Sequence, residues 1–241
     1  EPESKAIIQL YLPGNYGADA LADILAGDVV ALGGDGYISS GLMTNDGTIN
    51  ISGGNVIAMG GTTAGDAISA GGYSQGISGG TGVDLSGTAN VLALGNVTKT
   101  GSVGIATSQG DISITSPNTL AISSSASEQS EGIYAMGNIS ISGDSLTVLG
   151  GASGNESRGI YAEYNDQSVP SGQVLVDGGH LQVLASSGTN QSYGILTEWE
   201  VIQTGGSIVS MGGGSDTFSG KSAGIFCLGS SSLQEGIYVG I

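Results

Sequence analysis

Two acid–aromatic pairs, Glu163-Tyr164 and Glu198-Trp199, lie 35 residues apart, each closing a short run that opens Gly-Ile. Aromatic faces stack on the apolar side of sugar rings, and carboxylates accept hydrogen bonds from sugar hydroxyls or hold a bridging cation. Tyr134 occupies the place of Tyr161 one run earlier. The candidate ligand-binding set is therefore Tyr134, Tyr161, Glu163, Tyr164, Glu198 and Trp199. Stacked runs would set the Tyr134 and Tyr161 rings about one strand spacing, ~4.8 Å, apart. Glu163 and Glu198 would share a column, where like charges repel unless a cation or a hydrogen-bond donor sits between them. The insertion 164–171 would wall this patch and give it concavity. A plainer reading stands beside this one, in which the column is a ladder that only stabilises neighbouring strands.

Catalysis asks for more than these residues offer. A polysaccharide lyase uses a basic residue to take the proton α to a uronate carboxylate, with calcium held on carboxylates. Arg158 is the basic residue with acids close in sequence, Glu131, Glu156 and Glu163. It reads as the ion-pair partner of one of them. A glycoside hydrolase needs two carboxylates facing each other across a cleft. Asp84, Asp111, Asp144 and Asp177 instead read as corner residues, where Asp serves turns. His180 falls in a corner column with Asn55, Thr119, Ser145 and Ser207, a poor position for a general base. Cys227 is the single cysteine and reads as a small buried apolar residue. No EF-hand loop and no Gly-Gly-X-Gly-X-Asp run is present. The reading is of a non-enzyme without catalytic residues or a required cofactor, its metal ligands unassigned, in which calcium could still sit between carboxylates and loop carbonyls.

What must position these residues is a repeat. Residues 130–150 hold three alternating runs, Ile133-Tyr134-Ala135, Ile139-Ser140-Ile141 and Leu146-Thr147-Val148, separated by Gly, Asn, Asp and Ser. Alternation fits strands, and the separators tolerate tight turns. A Gly followed by an apolar residue marks the first strand at Gly41, Gly76, Gly104, Gly132, Gly159, Gly194 and Gly224, at spacings of 35, 28, 28, 27, 35 and 30. This is a coil of about 28 residues with insertions at 62–74, 151–157, 164–171 and 212–223. The second column runs through Ile49, Ile112, Ile139 and Val174. The third is Val56-Ile57-Ala58, Val91-Leu92-Ala93, Leu120-Ala121-Ile122, Leu146-Thr147-Val148, Leu181-Gln182-Val183 and Ile208-Val209-Ser210. The first and third residues of each run should point inward, so Ile133/Ile160/Ile195, Ile139/Val174 and Leu146/Leu181/Ile208 should stack as the core. The expected fold is all-β, a single right-handed parallel β-helix of about seven coils with three short strands each, a rod ~34 Å long. Residues 1–27 depart from the repeat and read as an N-terminal cap or leader, with a short helix from Asp19 to Gly27. Residues 28–241 form the solenoid. The stretch 236–241 reads as a strand with no cap after it, open to further coils or another chain.

Composition agrees with a thin core. Gly accounts for 46 of 241 residues and aromatics for 5%, yet 39% are apolar and 10% charged, which is neither a wide globule nor a disordered chain. The net charge of −17, from 21 acids against Lys5, Lys99, Arg158 and Lys221, repels phosphate backbones and argues against nucleic acid. No apolar run approaches the ~18 residues of a membrane helix, so no membrane insertion is expected.

The Ser-X-Gly-Ile-Tyr-Ala…Gly-Asn-Ile-Ser-Ile-Ser-Gly…Leu-Thr-Val block resembles secreted bacterial, clostridial-type carbohydrate-binding-domain proteins, over residues 39–240. The resemblance implies a pectate-lyase-like right-handed parallel β-helix, calcium in some members, and plant polysaccharide binding rather than cleavage. It brings no binding residues with it. The expected function is non-catalytic binding of a polysaccharide or cell-wall glycan, or adhesion, by a secreted or surface-displayed bacterial protein. The alternatives are a calcium-dependent lyase acting on uronate polymers and a structural stalk or autotransporter-like passenger.

Overall fold

The computed structural model describes residues 28–62, 72–164, 171–215, 217, 220–233 and, as backbone, 236–239. The cap or leader expected over 1–27 and most of the 164–171 insertion lie outside the described residues.

Among the described residues the chain is all-β, without helix, and its strands pair in parallel. The larger sheet has thirteen strands: β1 (Val29–Leu32), β3 (Thr48–Ile51), β4 (Asn55–Met59), β6 (Gly82–Leu85), β7 (Asn90–Gly95), β9 (Asp111–Ile114), β10 (Asn118–Ser123), β12 (Ile139–Ile141), β13 (Ser145–Gly150), β15 (Val174–Ala185), β17 (Val201–Met211), β19 (Ser231–Ser232) and β20 (Gly236–Val239). The smaller has seven: β2 (Ile38–Met43), β5 (Tyr73–Gly79), β8 (Gly101–Thr107), β11 (Gln129–Ala135), β14 (Glu156–Ala162), β16 (Gln191–Thr197) and β18 (Lys221–Cys227). The chain visits the small sheet once per repeat and the large one before and after. Each strand bonds its counterpart one repeat away, the arrangement of coils stacked in a solenoid.

The core follows the sequence pattern. Ile133 pairs with Ile160 and Ile160 with Ile195, Ile139 with Val174, Leu146 with Leu181 and Leu181 with Ile208. All are buried to within a few per cent. Each contributes about 1.5–3 kcal/mol through apolar burial, and the pleat puts their neighbours outside.

Five features differ from the sequence reading. The second and third columns form one sheet, because β15 and β17 run unbroken through the corner between them, absorbing it in bulges around Asp177 and in the left-handed Gly179 (φ 68°) and Gly206 (φ 68°). The marker glycine sits inside the first strand, not at its start: β11 begins at Gln129 and Gly132 lies within it. A Cβ there would press into Val148 and come 2.8 Å from the carbonyl oxygen of Gly159, so this close approach excludes larger residues. In β10 the inward residues are Thr119 and Ala121, with Leu120 and Ile122 turned outward; Thr119 Oγ1 is held 2.7 Å from Ser116 Oγ, and the corner column passes through Asn118. Residues 151–157 are not a free insertion, since Ser153 bridges Ala126 and Gly188 in a fourth ladder that runs from Thr98 to Ser215. Asp84 lies within β6 and Asp111 opens β9 rather than sitting at a corner, whereas Asp177 marks the corner that β15 runs through.

Candidate functional site

The small sheet brings the tyrosines together on its outer face. Tyr134 on β11 is in register with Tyr161 on β14, and Leu196 and Phe226 continue the column. The two tyrosine rings are 5.6 Å apart and tilted by 40°, a little wider than one strand spacing because tilted rings avoid a face-to-face overlap.

Each phenol reaches the glutamate of the next coil. Tyr134 Oη donates to Glu163 Oε2, and Tyr161 Oη donates to Glu198 Oε1 at 3.0 Å. Glu198 Oε2 also accepts from the Tyr164 backbone N–H at 2.9 Å. The donor that a column of like charges demands is thus supplied from within the chain. Burial, the hydrogen bond to Glu163 and that carboxylate's charge push the Tyr134 phenol well above its ordinary range. Tyr161 is raised by burial first and then by Glu163 and Glu198, against the opposing charge of Arg158.

Behind the rings lies a buried charge cluster. Arg158 and Glu131 face each other across β14 and β11, with Nη1 2.6 Å from Glu131 Oε1 and Nη2 bonded to Glu156 Oε2. The Arg158 guanidinium carbon sits 4.3 Å from the Tyr161 ring centroid, a cation–π contact. Arg158 and Glu131 are only 6% and 5% exposed, and Arg158 Nε is buried without a partner. Burial outweighs the arginine and raises the Glu131 carboxyl. Arg158 stays charged, because Glu131 and Glu156 more than offset its own burial. One coil on, Tyr193 takes the Arg158 position, buried, with its ring 5.2 Å from Phe226. The ion pairing of Arg158 matches the sequence reading. Its depth, and the Tyr193–Phe226 pair, were missed; the residue before each marker glycine was the available signal.

Two members of the candidate set remain open. Tyr164 and Trp199 are 43% and 44% exposed, each directly after a glutamate of the ladder. The wall expected from the insertion falls on residues 165–170, outside the described residues.

The remaining candidates lie apart from this face. His180 Nδ1 is 2.7 Å from Ser207 Oγ at the exposed corner of the large sheet, in register with Ser145. Asp111 Oδ1 accepts the Asn138 N–H at 2.7 Å, and Asp177 accepts from Thr204. Cys227 is only partly buried, against the core in β18, because that strand has no described neighbour on its far side. Among the described residues no group of three or more His, Cys, Asp or Glu is gathered as metal ligands, and no helix is long and apolar enough to cross a membrane. No protein-family model, curated protein or solved structure matches this chain.

Proposed function

We propose that this chain is a non-catalytic carbohydrate-binding or adhesion protein, secreted or surface-displayed by a bacterium, that holds a polysaccharide or cell-wall glycan on the outer face of the small sheet. The reading includes a right-handed winding of the coils, the hand that twisted strands impose on parallel crossovers. It rests on one observation: Tyr164 and Trp199 are both more than two-fifths exposed while attached to a rigid, hydrogen-bonded tyrosine–glutamate ladder. An exposed aromatic face offers a stacking platform, and Glu163 and Glu198 keep unused lone pairs for hydroxyl donors or a bridging calcium ion. Tyr134 and Tyr161 orient those carboxylates through their phenols.

The stalk or passenger reading draws on the same ladder, since every bond in it joins one coil to the next. A glycan array, run with and without calcium, separates the two. Tyr164→Ala and Trp199→Ala leave the phenol–carboxylate bonds in place, so folding should be unchanged and binding to the parent's positive glycans should fall at least tenfold. Parent-like binding by both variants, or no positive glycan at all, would leave the face as a stabilising ladder.

A further inference from the structure

The outer face of the large sheet carries an aliphatic strip that the glycan reading does not use. Its first column runs through Ile57, Leu92 and Leu120, and its second through Leu94, Ile122 and Leu149, each in register with the next strand. All six are partly exposed. Neither column meets a charged residue from β4 to β17, on a chain whose net charge is −17. An asparagine rim follows one side, where Asn90 Nδ2 donates to Asn55 Oδ1 at 3.0 Å and Asn118 Nδ2 to Asn90 Oδ1 at 2.8 Å, and it ends on Asp28, whose Oδ1 accepts from Asn55 Nδ2 at 2.7 Å. Between rim and strip lies a shallow groove of about 500 Å³.

We propose that this strip is a self-association surface, on which a second copy of the chain packs sheet to sheet about a two-fold axis. Three arguments select that occupant. The strip repeats at the strand spacing of ~4.8 Å, and interdigitation along its whole length requires a partner with the same period, which another stack of parallel coils supplies. A charged partner finds nothing along the two columns to pair with, whereas an identical uncharged strip is self-complementary about a two-fold. Six strands by two columns, with the rim, cover on the order of 500 Å² per copy, or about 1,000 Å² for the pair. That is the lower limit for specific association, so the dimer is weak and concentration-dependent. The remaining surface carries the acids, so added salt should strengthen the pairing by screening their repulsion.

Sedimentation equilibrium of the full chain should show the mass rising from 23.6 kDa toward twice that value with concentration, and more steeply at high salt. The Leu94→Glu/Ile122→Glu variant, if folded by circular dichroism, should remain monomeric at the same concentrations. Because that variant could also unfold, a second arm uses Thr147→Cys in a Cys227→Ala background. Thr147 points outward at the middle of the strip, so a short bis-maleimide should join two copies there and not at Ser140→Cys, outward on β12 but off the strip. A parent that stays monomeric at its solubility limit overturns the proposal, as does cross-linking at both cysteines alike or at neither.

Discussion

Glu131 and Arg158 form a pair whose partners are each about 95% removed from water, and this burial sets what substitution does there. Arg158→Ala should destabilise the chain by about 3–5 kcal/mol, because it strands a carboxylate in a dry site. Replacing both partners, as Glu131→Gln with Arg158→Met, should cost much less, since the deepest carboxylate leaves with the arginine and Glu156, which also loses its bond, is partly open to water. Urea denaturation of the two variants makes the comparison. The tyrosines respond to pH instead. Folded Tyr134 and Tyr161 hold their protons above the ordinary phenol value of about 10. The unfolded chain therefore releases protons that the native state keeps, and stability, fully present below about pH 10, should fall as pH rises beyond it. Denaturation midpoints through that range should decline, and a Tyr134→Phe/Tyr161→Phe variant should show a flatter decline from a slightly lower start.

At the scale of the strand, the contact between the small sheet and the third strand of the same coil governs which residues are allowed. Gly132 is pressed between Val148 and the carbonyl of Gly159, whereas a Cβ at Gly34 would meet nothing within 4 Å. Gly132→Ala should cost about 1–3 kcal/mol through overpacking, while Gly34→Ala should change stability by no more than about 0.5 kcal/mol. Thermal melts of the pair check this directly. Equal effects would mean that the repeated glycine answers to chain flexibility and not to close packing.

For the molecule as a whole, the excess of acids decides how any polymer approaches. A uronate polymer carries the same sign as a chain of net charge −17, so its binding should require calcium and vanish with a chelator, whereas a neutral glycan should bind equally in both conditions. Pectate incubated with the protein and calcium should release no unsaturated uronate absorbing in the ultraviolet. The guanidinium of Arg158 is already committed to Glu131, Glu156 and the Tyr161 ring, and a base must be free to reach the substrate proton. Product formation that disappears in Arg158→Ala would replace the binding reading with a lyase.

The sequence by itself determined the coil. A Gly-Ile marker at near-constant spacing, followed by alternating Ile, Val and Leu, specifies which residues stack in the core, because a one-residue slip would turn every one of them to water. Ile133, Ile139 and Leu146 needed nothing further. The same rule fails in β10, where the outward Leu120 and Ile122 are more apolar than the inward Thr119 and Ala121; the ladders to β7 and β13 set the phase there, and Thr119 is accommodated inside by its bond to Ser116. The candidate face was legible as a column of tyrosines and acids. That each phenol reaches the glutamate of the following coil, 29 and 37 residues away, was not. Such pairings depend on where the chain lies after a full turn, a distance that local spacing does not encode. The fusion of two columns into one sheet was likewise decided in three dimensions, where bulges at Asp177 and the left-handed Gly179 and Gly206 let strands bend through a corner without breaking their ladder.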